Sequence, residues 1–189
     1  MSKSDLIHRA GRGDETAWET LIQDHQESVF RLAYLLLGDA DEAEDAAQEA
    51  FIRAFRFLHT FDPTRNIRPW LLGITANLAR NRRRAFGRYM YHLRRLARLS
   101  PGEFADPENE AAQRSRADVL WAAVRRLDAG DQEIIYLRYF LELSTEETAE
   151  TLNIAVGTVK SRLYRALSRL RQLAQQEFPA LWAERAGNE

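Results

Sequence analysis

LSTEETAETLNIAVGTVKSRLYRALSRL, residues 143–170, is the stretch of sequence that decides the fold. Ser144 is followed three residues later by Glu147, which is the pattern of a capping box and predicts a short helix from Thr145 to Leu152. Asn153 can adopt the left-handed backbone conformation that ends a helix. A second helix follows after a tight turn, and two helices joined in this way form a helix-turn-helix.

The second helix of this pair is predicted to begin at Gly157 and Thr158, which supply the turn and the cap. Its apolar residues fall within about 100° of each other on a helical wheel and are expected to be buried. They are Val159, Leu163, Ala166, Leu167 and Leu170. The opposite side carries Ser161, Tyr164, Arg165 and Ser168, flanked by Lys160, Arg162 and Arg169. Such a face fits the DNA major groove, where arginine can donate two hydrogen bonds to guanine and flanking cations neutralise phosphates. A solvated face on an ordinary helical hairpin is the alternative, but no acidic residue occurs from 158 to 176 to mix the signs.

Helical periodicity dominates the rest of the chain, so the fold class is predicted to be all-α. A helix is expected from about 16 to 37, ended by Gly38, and another from about 41 to 59. The second of these has an apolar stripe that is expected to be buried. Its members are Ala47, Ala50, Phe51, Ala54, Phe55 and Leu58. A loop is predicted over Phe61 to Arg68, and Pro69 fits the first turn of a helix that continues from Trp70 into an arginine-rich segment. Further helices are expected at 119–127 and 134–140, separated by a turn at 128–131.

Charge is distributed unevenly although the formal net charge of the 189 residues is only −1 at pH 7. Residues 80–98 carry eight arginines and no acidic residue, and residues 158–176 carry five basic residues and no acidic one. Between the two helical regions lie four acidic residues with Pro101, Gly102 and Pro107, a composition that cannot bury a core. We therefore predict two small helical domains joined by a flexible acidic linker. The predicted division is a first domain at 14–97, a linker at 98–113, a second domain with the helix-turn-helix at 114–175 and a tail at 176–189.

The residue inventory argues against an enzyme. There is no cysteine, so disulfides, thiolate metal sites and cysteine nucleophiles are excluded and a reducing compartment is expected. His8, His25, His59 and His92 are scattered without ligand spacing, and no glycine-rich phosphate loop ending in Gly-Lys is present. No segment approaches the roughly 20 apolar residues of a membrane span. We expect a cytoplasmic protein without metal, cofactor, small-molecule substrate or membrane insertion.

Two parts of the chain resemble one known family. Residues 137–167, LRYFLELSTEETAETLNIAVGTVKSRLYRAL, resemble region four of bacterial RNA polymerase sigma factors of the extracytoplasmic-function (ECF) type. Residues 44–55, EDAAQEAFIRAF, and 70–77, WLLGITAN, followed by the arginine-rich helix, resemble region two of the same family. The resemblance spans about 16–172, with both regions in the family's order. It implies a factor that brings core RNA polymerase to promoter DNA, and an anti-sigma partner that no residue here identifies.

The resemblance also implies roles for individual residues. The helix that docks on polymerase would present Asp45, Gln48, Glu49 and Arg53. At the minus-ten element, Asn77 and Asn81 would lie beside the non-template strand, and the loop from Phe61 to Ile67 would hold an extruded base. The phosphates would be contacted by Arg80, Arg82, Arg83 and Arg84. The minus-thirty-five element would be read by Lys160, Ser161, Tyr164 and Arg165, with Arg162 and Arg169 at phosphates.

Alternatives remain open at several of these positions. The acidic helix could be only a solvated face, and the acidic linker could be a plain tether or could enter a cationic channel of the polymerase. Trp70 could stack on an unpaired base, although its shared stripe with Ile74 favours core packing. For the whole chain, the competing hypotheses are a free-standing helix-turn-helix repressor or activator and, more remotely, a helical-bundle enzyme.

Overall fold

Capping aspartates and one glycine set the ends of the first long helices. A computed structural model of the chain describes residues 3–97 and 116–177. In it, α1 spans Lys3–Gly11, α2 spans Glu15–Leu37 and α3 spans Ala40–Phe57. Asp14 caps α2 and Asp39 caps α3, each accepting a hydrogen bond from an N–H of the first turn. Gly38 ends α2 at φ 78°, a left-handed conformation that glycine adopts without a steric penalty. The predicted break between the two helices is confirmed.

The next helix is the longest and begins earlier than the sequence predicts. A 3₁₀ turn at Leu58–Thr60 and a loop lead into α4, Ile67–Ala97, which at 1.5 Å per residue is about 46 Å long. The prediction of a loop as far as Arg68 is therefore wrong for the last two residues. Pro69 disfavours helix in the residue before it, but the helix still starts at Ile67. Pro69 then sits in the first turn, where its missing N–H would have no intrahelical partner in any case.

Between residues 116 and 177, the second range that the structure describes, there are four α-helices. They are α5 Arg116–Arg126, α6 Ala129–Ile135 with a π-helical turn at Tyr136–Phe140, α7 Thr145–Leu152 and α8 Val156–Glu177. The predicted turn at 128–131 is wrong, because Asp128 is an N-cap that accepts from Asp131 N and the three residues after it are already helical. Gly157 and Thr158 likewise do not precede α8 but lie inside its first turn.

The core confirms most of the predicted buried faces. Val159 and Ala166 on α8 are fully buried, and Ala50 and Ala54 face the interior from α3. Phe55 was also predicted to be buried, but it is 52% exposed. Alanines fill the inner face of α3, so the neighbouring helices approach closely and this larger ring lies on the rim, 5.3 Å from the Trp18 ring.

The two halves pack against each other. Helix α7 lies against α4, and the π-helical turn touches α2, so one apolar core includes Leu71 and Leu72 from the first half and Leu137 and Leu143 from the second. Within the described ranges every regular element is helical, which confirms the all-α class, and no helix combines the length and hydropathy of a membrane span. The predicted linker, and the tail beyond residue 177, lie outside the described residues.

Candidate nucleic-acid interface

The helix-turn-helix is held by local hydrogen bonds that the sequence predicts. Ser144 Oγ accepts from Glu147 N at 3.0 Å, and Glu147 Oε2 accepts from Ser144 N at 2.8 Å, which completes the capping box of α7. Asn153 ends the helix in the left-handed conformation at φ 52° and ψ 50°. Three residues after this cap, α8 begins. Backbone hydrogen bonds hold both ends of the turn, since Ile154 N donates to the carbonyl oxygen of Ala149 and Val159 N donates to that of Ala155.

Helix α8 presents a basic face to solvent. Tyr164 is 77% exposed, and Lys160, Ser161, Arg162 and Arg165 are exposed beside it. The Arg165 Nε–H donates only to the carbonyl oxygen of Ser161, at 3.3 Å. Within the described ranges no carboxylate forms an ion pair with Lys160, Arg162 or Arg165. These cations can therefore meet phosphates or base edges without first breaking an internal salt bridge.

Arg169 on the same helix has a different environment. Its guanidinium donates to Asp128 Oδ2 at 2.7 Å and to Asp131 Oδ2 at 2.5 Å. The hydrogen bond with Asp131 and the charges of both carboxylates raise the pKa of Arg169 above its ordinary value. Arg169 thus joins α8 to the start of α6, and a DNA phosphate would have to compete with two carboxylates for it.

The loop at 61–66 has its own internal order. Asp62 accepts hydrogen bonds from the Thr64 hydroxyl at 2.7 Å and from Thr64 N at 2.9 Å, which lower the pKa of this aspartate below its usual range. The half-buried ring of Phe61 packs 5.0 Å from the ring of Trp70. Trp70 itself lies partly buried against the core, as the sequence favours. The two rings form an apolar wall at the base of the loop.

The polar face of α4 follows this wall. Asn77, Asn81, Arg83 and Arg84 are exposed. Arg80 is half-buried and is held from two sides, because its guanidinium donates to Asn77 Oδ1 and to Glu133 Oε1 on α6. Burial raises the pKa of Glu133, although the Arg80 charge opposes this shift. Glu133 is only 7% exposed, whereas the Arg80 side chain is 31% exposed, so the carboxylate is the buried partner of this pair.

The acidic face of α3 forms an ion-pair network. Glu49 accepts from Arg53 at 2.6 Å and from Arg82 at 3.3 Å, and Arg82 also reaches Glu42 at 2.9 Å. Burial opposes ionisation of Glu49, but the hydrogen bonds from the two arginines outweigh it and lower the pKa of this carboxyl. The sequence predicts that Arg82 contacts DNA phosphates, but in the structure Arg82 is paired with Glu42 and Glu49 of α3. Asp45 and Gln48 are exposed on the same helix.

Comparisons with known proteins find two family models that match separate parts of this chain. The family model for Sigma-70 region 2 matches residues 21–98, and the model for Sigma-70, region 4 matches residues 117–170. The chain is 33% identical over 175 residues to the ECF RNA polymerase sigma factor SigW of Bacillus subtilis, with 88% of this chain and 93% of that protein covered. The chain belongs to the ECF sigma factor family.

Other ECF and related sigma factors extend this similarity to the three-dimensional fold. The RNA polymerase sigma-H factor of Pseudomonas aeruginosa is 34% identical over 169 residues, covering 85% of this chain and 88% of that protein. The structure of CnrH in complex with the cytosolic domain of CnrY superposes with a TM-score of 0.67 at 28% identity, covering 92% of this chain and 97% of CnrH. In this sigma factor, α2–α4 lie in region two and α5–α8 carry region four.

Sequence reasoning missed the acidic residues that face region two of this sigma factor. Glu147 Oε1 accepts from Asn66 Nδ2 at 2.9 Å, and Glu150 Oε1 accepts from Arg65 Nη2 at 2.5 Å. Glu133 likewise accepts a hydrogen bond from Arg80. The sequence offers one indication of such a contact: Glu133 directly precedes the apolar pair Ile134 and Ile135, and a carboxylate on a buried face needs a partner for its charge.

Proposed function

We propose that this ECF sigma factor is a dissociable promoter-specificity subunit that binds core RNA polymerase, reads two promoter elements and stabilises strand opening at the downstream one. The observation that carries the proposal is the exposed basic face of α8, where Lys160, Arg162 and Arg165 form no ion pair within the described part of the chain, together with the asparagine face of α4. The proposed domains are 14–97 for polymerase docking and the minus-ten element and 114–175 for the minus-thirty-five element, joined by residues 98–113.

At the upstream element, α8 enters the major groove. Lys160, Ser161, Tyr164 and Arg165 face base edges, and Arg162 neutralises a phosphate beside them. Arginine can donate a bidentate pair to guanine, which supplies both affinity and sequence discrimination. The hydrogen bonds of Arg169 to Asp128 and Asp131 support a structural role for this residue, in which it holds α8 against the N-terminal end of α6.

At the downstream element, the loop at 61–67 and the polar face of α4 hold unpaired bases. The Phe61 and Trp70 rings form one apolar wall of the pocket, and the Asn77 and Asn81 amides can bond the Watson–Crick edge of a base once it leaves the stack. Arg83 and Arg84 contact the phosphates of the DNA backbone. Arg80 can contact them as well once its ion pair with Glu133 is broken. Holding extruded bases in this way offsets an unstacking cost of a few kcal/mol per step.

The polymerase contact is proposed for the outer face of α3, with Asp45, Gln48, Glu49 and Arg53. The ion pair between Glu49 and Arg53 leaves carboxylate oxygens and guanidinium donors accessible at half-exposed side chains, so this face can pair with either sign of charge on a partner. A restraining partner of the anti-sigma type is part of the proposal. CnrH was solved with a segment of CnrY bound, and CnrH is similar to this chain over most of its length.

The proposal includes no chemical step by the chain itself. Promoter opening is driven by differential binding to separated strands, and the nucleotide chemistry belongs to the polymerase. We propose the cytoplasm as its location because core polymerase and promoter DNA are there. Neither a cofactor nor a metal has a part in this mechanism.

Permanganate footprinting tests the proposal. Holoenzyme selects a promoter from a random-sequence duplex library, and the selected duplex is then treated with permanganate, which oxidises unpaired thymines. We expect reactive thymines near the downstream element only when this protein and core polymerase are both present.

Two single-component reactions, core polymerase alone and the protein alone, serve as controls. The protein alone could instead retard the duplex in a gel, with polymerase adding neither affinity nor permanganate reactivity. That result would support the free-standing repressor and reject the sigma mechanism.

A further inference from the structure

Arg82 on α4 holds two successive turns of α3 with one guanidinium. Its Nη1 donates to Glu42 Oε2 at 2.9 Å and to the Glu42 carbonyl oxygen at 3.2 Å, and its Nη2 donates to Glu49 Oε2 at 3.3 Å. Glu42 and Glu49 are seven residues apart, which is two turns of a helix. The Arg82 side chain is 27% exposed, so this double contact, the Arg82 fork, lies against α3 and not in open solvent.

Glu49 connects the Arg82 fork to the outer face of α3. Its Oε1 accepts from Arg53 Nη2 at 2.6 Å, while its Oε2 accepts from Arg82. Glu49 and Arg53 belong to the face proposed to bind polymerase. On α4, Arg82 directly follows Asn81, one of the two amides proposed to meet an unpaired base. A continuous set of ion pairs therefore joins the two binding faces of region two.

The buried face of α3 offers little else to fix the position of α4. The two helices pack directly on each other, and α4 adds Ala76 and Ala79 to the shared core. Short side chains permit a close approach, but they do not interdigitate in a way that resists sliding or rotation. The best attested role of a charged pair between helices is to fix their register. The buried residues of α3 are all alanines: Ala43, Ala46, Ala47, Ala50 and Ala54.

Arg82 differs from the arginines that follow it on α4. Arg83 and Arg84 are exposed, and among residues 3–97 and 116–177 neither forms an ion pair with a carboxylate. Burial disfavours the charged guanidinium of Arg82, but its hydrogen bonds to Glu42 and Glu49 outweigh this effect and raise the pKa of Arg82 above its ordinary value. A DNA phosphate would have to displace both carboxylates from Arg82, whereas Arg83 and Arg84 can meet a phosphate directly.

We propose that Arg82 is a positioning residue and not a DNA contact: the Arg82 fork sets the register of α4 on α3, so that Asn77 and Asn81 lie at a fixed place relative to the polymerase-binding face. This inference rests on the functions proposed for the two faces. Holoenzyme must hold the amides where a base leaves the stack, and a displacement of about 1 Å can slow a positioned step by on the order of a hundredfold. Loss of the Arg82 fork therefore slows strand opening without weakening polymerase binding.

Arg82→Lys tests whether position 82 needs only a positive charge. Lysine supplies the point charge that a phosphate contact requires, but a single ammonium cannot replace a planar fork that reaches two turns of α3. We expect the full chain with Arg82→Lys to bind core polymerase with wild-type affinity. At saturating holoenzyme, permanganate-reactive thymines should appear at least about fivefold more slowly on the selected promoter, because the amides are displaced.

Salt dependence separates Arg82 from a true phosphate contact. Each lost phosphate contact lowers the slope of log affinity against log salt concentration by about one. We expect holoenzyme carrying Arg82→Gln to retain the wild-type slope on the selected duplex. Arg84→Gln, on the same helix and without a carboxylate partner in the described ranges, is the comparison variant and should show the reduced slope.

Glu42→Gln gives the two roles of Arg82 opposite signs. If Arg82 fixes the register, removal of one carboxylate partner slows opening, as Arg82→Lys does. If Arg82 binds a phosphate, the same change releases the guanidinium for DNA and speeds opening. Asp41→Asn is the matched control, since it removes a carboxylate from the same turn of α3 and Asp41 has no ion pair within the described part of the chain. Its opening rate should match the wild type.

A distance measurement reports the register without DNA or polymerase. The chain has no cysteine, so Arg56→Cys on α3 and Arg88→Cys on α4, both exposed, accept a pair of spin labels in the full chain. We expect double electron–electron resonance to give a narrow distance distribution when Arg82 is present and a broader or displaced one with Arg82→Lys. Circular dichroism should show equal helicity, which separates a change of register from unfolding.

The outcomes separate the positioning role from the proposed function. Wild-type opening by Arg82→Lys, a reduced salt slope for Arg82→Gln, or faster opening by Glu42→Gln overturns the positioning role. An unchanged distance distribution in Arg82→Lys overturns it as well. A wild-type holoenzyme that opens no promoter rejects the proposed function instead, and the distance distributions then decide by themselves whether Arg82 sets the register.

Discussion

Arg165 and Arg169 lie one turn apart on α8, and their surroundings give them different roles. Arg169 points toward the start of α6, where two aspartates hold it. Arg165 reaches only a carbonyl oxygen of its own helix. The same residue type on the same helix is a structural clamp in one position and a free donor in the other, because only one of them faces another element.

Replacing Arg165 by alanine should remove base discrimination. We expect holoenzyme carrying Arg165→Ala to lose about 1–3 kcal/mol of preference at one base pair of the upstream element, because a bidentate donor is lost. Anisotropy titrations with duplexes altered one position at a time measure the effect.

Arg171→Ala is the control for this substitution, since Arg171 is exposed nearer the end of α8. Arg171→Ala should reduce the affinity for all duplexes by the same factor or leave it unchanged. If Arg165→Ala also reduces the affinity for every duplex by the same factor, Arg165 contacts a phosphate rather than a base.

Asn77→Ala should separate docking from opening. Asn77 is exposed on α4, and its amide oxygen accepts from Arg80 of the same helix rather than from the α3 face proposed for polymerase, so the variant should bind core polymerase normally. We expect a slower appearance of permanganate-reactive thymines, because the amide that bonds an extruded base is gone. The exposed amide Gln23 on α2 supplies a control in Gln23→Ala. Normal opening by Asn77→Ala would remove this residue from the strand-binding face.

At the scale of single elements, caps determine where helices begin. Asp14, Asp39, Asp128 and Ser144 each accept a hydrogen bond from an N–H of the following first turn. These residues are common at N-caps because a short oxygen-bearing side chain satisfies donors that have no helical partner. The boundaries of α2, α3 and α7 could therefore be predicted closely from the sequence.

Ser144→Ala should destabilise the helix-turn-helix. Loss of the N-cap costs about 1 kcal/mol of unfolding free energy, and it leaves Glu147 without the hydroxyl half of the capping box. Urea unfolding followed by circular dichroism measures the change. Ser168→Ala, exposed in the interior of α8, is the control and should change stability by a few tenths of a kcal/mol at most, in the favourable direction. Equal effects at the two serines would contradict the capping role.

The cap of α2 should make its stability depend on acid pH. The Thr16 hydroxyl, Ala17 N–H and Arg9 guanidinium lower the pKa of Asp14 from 3.8 to about 2. Because the pKa is lower in the folded protein, the ionised cap stabilises the fold fully above pH 3.8, and this stabilisation is lost as the pH falls toward 2.

Asp14→Asn tests this dependence. Asparagine retains the capping oxygen but not the charge, so the wild type should be more stable than the variant at pH 5, and the difference should shrink as the pH falls to about 2. Urea midpoints across this range provide the measurement. A difference that is constant with pH would show that the charge of Asp14 contributes nothing.

At the scale of the whole molecule, the packing of region four on region two decides which groups are accessible. Arg65, Asn66, Arg68 and Arg80 are polar groups on one side of region two, and each donates a hydrogen bond to region four, although Arg65 and Asn66 remain exposed. Asn77, Asn81, Arg83 and Arg84 stay exposed on α4, so region four engages one part of this side and leaves the rest accessible. Which donors meet solvent is thus decided by how the two regions pack rather than by any one residue.

The sequence by itself determined the helical class, most helix ends and the polarity of α8, because capping, left-handed turns and helical periodicity act over a few residues. It also carried enough of the two sigma regions to indicate the family. Only the tertiary structure decided which charges are free. Arg82 meets Glu49 33 residues away, and Arg65 meets Glu150 85 residues away. Local patterns state which face of a helix is polar, but whether that face meets solvent or another helix depends on how distant elements pack.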